Sequence, residues 1–539
     1  MNKRVELDPA GVEFRERVRS NQARLITGLK EQYDFIICGS GSSGSVVARR
    51  LAENPEVNVL LLEAGGDDDV ASIREAASWP MNLGGEYDWN FSAQPNASIN
   101  GRSLPLSMGK VLGGGSSINL MIWARGHKHD WDFFAEEAGD PAWNYESVLR
   151  IYRRIEDWHG APDPQYRGTG GPLYVQPGPT SSPQALAVLE GARSVGIPTY
   201  ENQNGRLMES EGGASIIDLR VREGKRQSVF RSYVFPIMDK PNLTVLTHAL
   251  VTRLTFDSKR VTGVEIEYQG AIRRIGAESE VVLSLGAIHT PKVLMHSGIG
   301  DQDELRRAGI PIVEHLPGVG QNFQDHVGFN CVWENREPHS GAMVDATFFA
   351  KSDASIDTPD LHTFFGDFVM SSPENTRRFA MPATGWGFFG TISRPKSRGR
   401  LRLSGPNPDD AIRIEADHLS HPDDLKAARR SVEISRAIGN SAALRPFTRR
   451  EVAPGNLKCA DLDNFLRDAA LTAWHVTCTA KMGRDSLSVV NGALQVYGIE
   501  RLRIADGSVM PRVTTGNTMA PCVIIGERAA ELLKAAHGL

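Results

Sequence analysis

Residues Tyr33 to Glu63 constrain this chain more than any other stretch. Tyr33–Cys38 is a near-continuous apolar run of strand length, and it ends in Gly39-Ser40-Gly41-Ser42-Ser43-Gly44. A helical segment follows through Ala52, and Val57–Leu62 forms a second apolar strand ending at Glu63. The pattern is a βαβ unit with Gly-x-Gly-x-x-Gly at its first turn and an acid nineteen residues past the last glycine. Gly39 makes the tight turn, Gly41 lets the backbone approach a pyrophosphate, and Gly44 lets helix and strand close up. The helix N-terminus then faces the phosphates, and Glu63 can accept hydrogen bonds from a ribose diol. A glycine-rich hexapeptide alone is weak evidence. In strand–turn–helix context with the acid in place it predicts a dinucleotide site, without choosing NAD over FAD.

One such unit accounts for a small part of 539 residues, so two intertwined or sequential domains are expected. Hydrophobic content of 40% with 53 Gly and 30 Pro fits a large soluble α/β chain rich in turns. The net charge of −5 is small and no long basic block appears, which excludes nucleic acid as an expected partner. Cys38, Cys331, Cys459, Cys478 and Cys522 are scattered without metal-ligand spacing, so no metal is expected and the thiols read as reduced. No apolar leader and no window of about eighteen apolar residues is present, making a cytoplasmic protein without a membrane span the expectation.

Along the chain, Phe14, Val18, Leu25 and Leu29 form one apolar helical stripe among charges of both signs. A helix packed on the domain surface is expected there, with a subunit contact as the sharper alternative. Between about 66 and 243 the βα rhythm is lost, and loops rich in Gly and Pro intervene at Asp163–Gly171 and Gln176–Pro183. Order returns at Leu243–Phe256 and Val261–Leu285, where Val264, Ile266 and Tyr268 alternate with Glu265 and Glu267 before a turn at Gln269-Gly270. Glu280–Leu285 followed by Gly286 reads as a buried strand entering a helix, Ser397–Leu403 alternates basic and apolar residues, and Leu502–Asp506 is a last short strand. The division that follows is an N-terminal helical extension at 1–32, a nucleotide-binding domain at 33–65, 244–320 and 486–539, and a substrate domain at 66–243 and 321–485.

Gly109-Lys110-Val111-Leu112-Gly113-Gly114-Gly115-Ser116-Ser117-Ile118-Asn119 is the second dense glycine stretch. Three consecutive glycines let the backbone approach a flat or phosphate-bearing ligand with exposed N–H groups. Its apolar flanks argue against a flexible linker, which would be polar throughout.

With these blocks in order, the sequence resembles the glucose–methanol–choline (GMC) flavoprotein oxidoreductases from about Tyr33 to the C-terminus. One family signature is matched by Gly109–Asn119 continuing to Trp123, Gly126 and Asp132, another by Gly286-Ala287 through Ser297-Gly298-Ile299-Gly300. Pro317–Asn322, Asp325-His326 and Asp506-Gly507-Ser508 through Asn517 are also similar. The resemblance implies an α/β fold: a Rossmann-like FAD-binding domain assembled from separated segments, with an α+β substrate domain carrying an antiparallel sheet. It implies FAD in an extended pose, with Gly39, Gly41, Ser42, Ser43, Gly44, Glu63 and Ala64 around the ADP half and Val251 meeting the adenine. Gly109, Val111, Gly114, Gly115, Ser116 and Asn119 would line the flavin, with Trp474, Asp506, Gly507, Asn517, Thr518 and Met519 nearby. Some relatives attach FAD through a histidine at the position of Ile118. Isoleucine cannot do so, and His127 and His129 do not match that position, so non-covalent FAD is expected.

Oxidising an alcohol needs a base for the hydroxyl proton and an acceptor for the hydride. A histidine suits the first task at neutral pH, and a flavin the second. His475 matches the family's catalytic histidine and Asn517 its partner, whose amide can orient the substrate oxygen without competing as a base. Taken alone, His475 would read as a core histidine and Asn517 as a turn or N-cap residue. Pro521 lies near the start of a helix running through Leu533, whose N-terminus would stabilise negative charge on the reduced flavin. Asp325 and His326 read as structural. Phe364, Phe365, Trp386, Phe388 and Trp474 are candidate walls of the substrate pocket.

The expected reaction is oxidation of a primary alcohol, preferably an aryl or furan hydroxymethyl compound, to the aldehyde with O2 as acceptor. The alternatives are a choline-like or aliphatic alcohol dehydrogenase using a quinone or other carrier, and a hydroxynitrile lyase with redox-silent FAD. The residues leave open oxidase against dehydrogenase, and monomer against homodimer.

Overall fold

A computed structural model describes residues 9–178, 182–338, 341 and 344–539. The first eight residues of the N-terminal extension and residues 179–181 of the Gln176–Pro183 loop lie outside the described residues. Two seven-stranded sheets organise the fold. In the first, the strand Gln32–Cys38 lies parallel between Val59–Leu62 and the end of Ala271–Leu283. Leu243–Leu246 adds in parallel beyond Val59–Leu62, and Leu502–Ile504 pairs in parallel with Val281–Leu283. These strands are covered on both faces, which is why Val59–Leu62 is apolar at every position and fully buried.

The long strand Ala271–Leu283 changes role along its length. Its first half pairs antiparallel with Arg260–Tyr268, which in turn pairs with Ala249–Asp257. Val264, Ile266 and Tyr268 face inward there while Glu267 faces solvent, as expected of a strand covered on one face only. Gln269 and Gly270 both take positive φ, 53° and 72°, closing a two-residue hairpin whose twist matches its strands.

The helix Pro9–Thr27 lies over the edge strand Leu243–Leu246. The Gln22 amide donates from Nε2 to the Leu243 carbonyl at 3.0 Å and accepts at Oε1 from Val245 N–H at 3.0 Å, satisfying backbone that an open edge would expose. At the other end of the chain, the helix Met519–His537 packs on Ser42–Ala52. A Cβ at Gly526 would stand 2.7 Å from the Ser43 carbonyl oxygen, so this crossing requires glycine. Glu527, in the next position, is buried and bound by Arg50 at 2.9 Å and by the Tyr233 hydroxyl at 2.8 Å.

The second sheet is antiparallel, in the order Thr448–Ala453, Val327–Asn335, Gly385–Ile392, Leu361–Gly366, Val344–Ala350, Gly213–Ile216. One face carries Trp333, Phe365, Trp386 and Phe388 into a core shared with the helix Pro422–Gly439. Trp333 and Trp386 stack there at 4.5 Å, and a Cβ at Gly439 would collide with the Trp333 ring. The other face looks toward the first sheet. An α/β fold with a separate antiparallel sheet is thus what forms.

Candidate active site

Three helices, Ser42–Ala52, Gly286–His296 and Met519–His537, point their N-termini at one cleft of about 1660 Å³ including its open mouth. Each N-terminus offers unpaired N–H groups and a partial positive charge, so the cleft floor suits an anion. Gly39, Gly41, Ser42, Ser43, Glu63, Ala64 and Val251 line one part of it; Gly109, Gly114, Gly115, Ser116 and Asn119 line another. Cβ atoms on Gly41 or Gly115 would meet no protein atom within 4 Å, so at these points the wall is bare backbone. The glycine stretch is pressed onto the first turn: a Cβ on Gly114 would stand 3.0 Å from Gly41 Cα. Glu63 is buried, with Oε2 accepting from Ser40 Oγ at 2.7 Å and Oε1 from Gly65 N–H at 2.9 Å. These residues fit an extended dinucleotide, with anionic phosphates at helix ends and hydroxyls beside a carboxylate.

Two expected cofactor contacts stand back from the cleft. Gly44 faces the turn, where any Cβ would collide with the Gly39 carbonyl oxygen, so it closes the helix onto the strand without lining the cavity. Val111 is fully buried against Ile73 and Ile118, because the chain runs there in a bridge with Gly66. Ile118 does line the cleft. His127 caps the helix Lys128–Ala138 and His129 contacts Thr358 Oγ1 at 2.6 Å; neither reaches the cavity. Sequence reasoning missed Arg226, which is buried and donates from Nη1 to the Asn119 carbonyl at 2.6 Å and to Asn119 Oδ1 at 2.9 Å. No motif marked it; only the fold brings it beneath Asn119.

Trp474, His475, Asp506, Gly507, Asn517, Thr518 and Met519 close the cleft at its far end. Asn517 Nδ2 lies 3.1 Å from His475 Nε2. An amide NH₂ only donates, so His475 accepts at Nε2 and carries its proton on Nδ1, which donates to His326 Nδ1 at 2.9 Å. The two rings are nearly perpendicular, at 87°. Asp325, expected to be structural together with His326, accepts from His475 N–H at 2.8 Å and from the Thr472 hydroxyl, and lies 3.4 Å from His418 Nε2. Burial alone would raise the Asp325 pKa, but these hydrogen bonds and the charge of His418 hold it below the usual carboxylate value. Asp325 and His326 therefore fix the backbone and ring of His475. Trp474, immediately before His475, adopts φ +58°, a strained value for a tryptophan, and such outliers gather at functional sites. From the other side, Asp130 accepts from Thr515 N–H at 2.7 Å and pairs with Arg394 at 2.8 Å, steadying the turn that carries Asn517.

Burial, then the neighbouring His326, depresses the His475 pKa from 6.5 to about 3, with Asp325 opposing; burial brings His326 to about 4. His475 is therefore neutral across ordinary pH, and the acid limb of kcat/KM should lie below about pH 5 rather than near the unperturbed 6.5 of a free imidazole. In the unfolded chain both rings take up protons as pH falls through about 6.5, while the folded chain resists. The unfolded state then binds more protons, so stability present above that pH is lost on acidification, and Tm should fall between pH 7 and pH 5.

Beyond Trp474, His475 and Asn517 a second chamber opens, lined by Trp79, Leu120, Ile122, Val344, Phe364, Phe368, Met370 and Phe389, with Asn330 as its remaining polar side chain. Gly366 and Gly387, paired across the sheet, form the recess between the aromatic walls. Of the expected walls, Phe364 and Trp474 line this chamber. Phe365, Trp386 and Phe388 do not, because successive strand residues face opposite sides and these three point into the core with Trp333. Phe365→Ala should accordingly cost about 3–5 kcal/mol of stability with KM little changed. Phe364→Ala should raise KM about tenfold, roughly 1.4 kcal/mol of binding, with a smaller loss of stability. Denaturant melts and steady-state kinetics on the pair check both.

Fold and site together define a cleft shaped to hold a dinucleotide along one sheet, with a histidine–amide pair at its far end. GMC oxidoreductase family models match residues 33–328 and 395–526. Mitochondrial choline dehydrogenase of Mus musculus is 35% identical over 546 residues, covering 94% of this chain and 90% of the mouse protein. Oxygen-dependent choline dehydrogenase of Brucella anthropi is 35% identical over 532 residues, covering 92% and 95%. The crystal structure of pyridoxine 4-oxidase from Mesorbium loti superposes with a TM-score of 0.88 at 30% identity, covering 94% of this chain and 99% of that one. The chain belongs to the GMC oxidoreductase family: it is an FAD-dependent alcohol oxidoreductase. Among the described residues no helix is long and apolar enough to cross a membrane.

Proposed function

We propose that the protein oxidises a primary alcohol borne on an aromatic or furan ring to the aldehyde, with His475 as base, Asn517 orienting the hydroxyl, and dioxygen as terminal acceptor. The single observation that carries the substrate class is the second chamber: its walls are aromatic and aliphatic, and no carboxylate lines it among the described residues. A flat neutral ring fits such walls, whereas a quaternary ammonium would enter without a counter-charge.

In this reading the hydroxyl lies against His475 Nε2, which takes its proton, while Asn517 holds the oxygen. His326 receives the Nδ1 hydrogen bond and keeps the imidazole in the tautomer whose Nε2 lone pair faces Asn517, where an incoming hydroxyl would replace the amide's bond. Bound FAD, held by the cleft residues around Gly41, Glu63, Gly115 and Asn119, supplies the hydride acceptor. Ile118 offers no atom for attachment, so the cofactor is held without a covalent bond.

One observation favours a second reading. Trp79, Phe364, Phe389 and Trp474 offer ring faces that attract a cation, and the choline dehydrogenases are 35% identical. Anaerobic mixing with benzyl alcohol, furfuryl alcohol and choline separates the two. Bleaching by the ring alcohols at least about tenfold more efficiently than by choline supports the aryl reading; the reverse order would overturn it. Bleaching by none of them would overturn both substrate readings. Peroxide formed in step with aldehyde in air, against dye reduction, decides the acceptor.

A further inference from the structure

Asn330 stands apart from everything around it. It lies on the strand Val327–Asn335, facing the chamber, opposite Phe389, which in turn pairs with Phe364. Its neighbours in that row are phenylalanines, and the chamber wall around it is otherwise apolar. The residue is only 6% exposed, and its buried Nδ2 has no hydrogen-bond partner among the described residues. An unpaired buried amide is costly, and nearly all buried polar groups in native proteins are satisfied. Valine or leucine would fill the place without that cost. Two other unpaired polar atoms on this chamber, Trp474 Nε1 and Asn517 Oδ1, sit at the reacting edge, where substrate and cofactor would meet them. Asn330 lines the chamber but not the cofactor cleft.

Its place along the strand sets what it can reach. His326, the partner of His475, is four residues earlier, about 13 Å of extended chain at roughly 3.3 Å per residue. The amide is thus offset along the strand from the His326–His475 pair, with Phe389 and Phe364 beside it. Gly328, midway, leaves room for the Phe389 ring to lie against the strand: a Cβ there would collide with it.

We infer that Asn330 is a specificity-determining residue, hydrogen-bonding a second, neutral polar group on the ring at the end away from the hydroxymethyl carbon. The inference rests on the aryl-alcohol reading and narrows it to ring alcohols bearing a distal carbonyl or hydroxyl. An amide presents either a donor or an acceptor by turning over, which suits both groups. A charged substituent is disfavoured because no counter-ion lines the chamber among the described residues.

The test uses two pairs of alcohols that differ only at the distal position: 5-hydroxymethylfurfural with 5-methylfurfuryl alcohol, and 4-(hydroxymethyl)benzaldehyde with 4-methylbenzyl alcohol. A formyl group also alters the intrinsic reactivity of the alcohol, so the quantity read is the formyl-to-methyl ratio of kcat/KM, compared between the FAD-loaded parent and Asn330→Leu. That ratio should fall at least tenfold in the variant. Asn330→Ala, which removes the amide without adding bulk, should lower it in the same direction. A ratio unchanged within a factor of two in a variant that retains FAD would overturn the assignment while leaving the aryl-alcohol reading intact. Failure of all four alcohols to reduce the parent flavin would overturn both.

Discussion

Replacing His475 by alanine should lower the rate of flavin reduction by alcohol about a hundredfold to ten-thousandfold, the range a positioned general base contributes, while the visible spectrum of bound FAD persists. The expectation comes from where the histidine's bonds go. Its Nδ1 is committed to His326 and its backbone N–H to Asp325, so Nε2, which accepts from Asn517 until an incoming hydroxyl takes the amide's place, is the nitrogen that can receive a substrate proton. Stopped-flow bleaching under nitrogen reads the chemical step apart from product release. A variant that bleaches at the parental rate would remove His475 from the mechanism. Asn517→Ala should lower the rate less, because an amide orients the oxygen without taking its proton.

The second large effect is expected at Gly44→Ala. A single methyl group there would collide with the Gly39 carbonyl oxygen and approach Ser284 Cβ to 3.0 Å. Neither backbone can withdraw without opening the turn that presents Gly41 to the cleft. Overpacking of this kind costs about 1–3 kcal/mol, so FAD affinity should weaken at least about tenfold, about 1.4 kcal/mol. The ratio of flavin to protein absorbance after purification, and titration of the apoprotein with FAD by fluorescence quenching, measure it. Full flavin content with unchanged affinity would show that the helix can shift without cost, contrary to the packing seen.

What could be read from residues alone was local. The βαβ unit is legible because its signals lie within thirty residues: an apolar run, three glycines and an acid, each demanded by backbone geometry in its own neighbourhood. The hairpin at Gln269-Gly270 was legible for the same reason. The aromatic walls were not. Phe364 and Phe365 are adjacent and chemically identical, yet one lines the chamber and the other fills the core, since the choice depends on which sheet face meets the helix Pro422–Gly439. Phe389, which does line the chamber, sits beside Phe388, which does not. Val111 was misplaced in the same way, as a neighbour of cavity-lining glycines turned inward by a bridge to Gly66.

The sequence by itself determined the cofactor turn, the class of chemistry and the family, because motifs are constraints between near neighbours that hold whatever the rest of the chain does. Tertiary structure alone decided which groups surround the proton-handling histidine. Asp325 and His326 reach His475 from about 150 residues away, with His418 behind Asp325, and Arg226 reaches Asn119 across more than 100. Such meetings are set by how two sheets pack, which no local spacing encodes. The burial that depresses the His475 pKa and leaves Asn330 Nδ2 without a partner among the described residues belongs to that packing too.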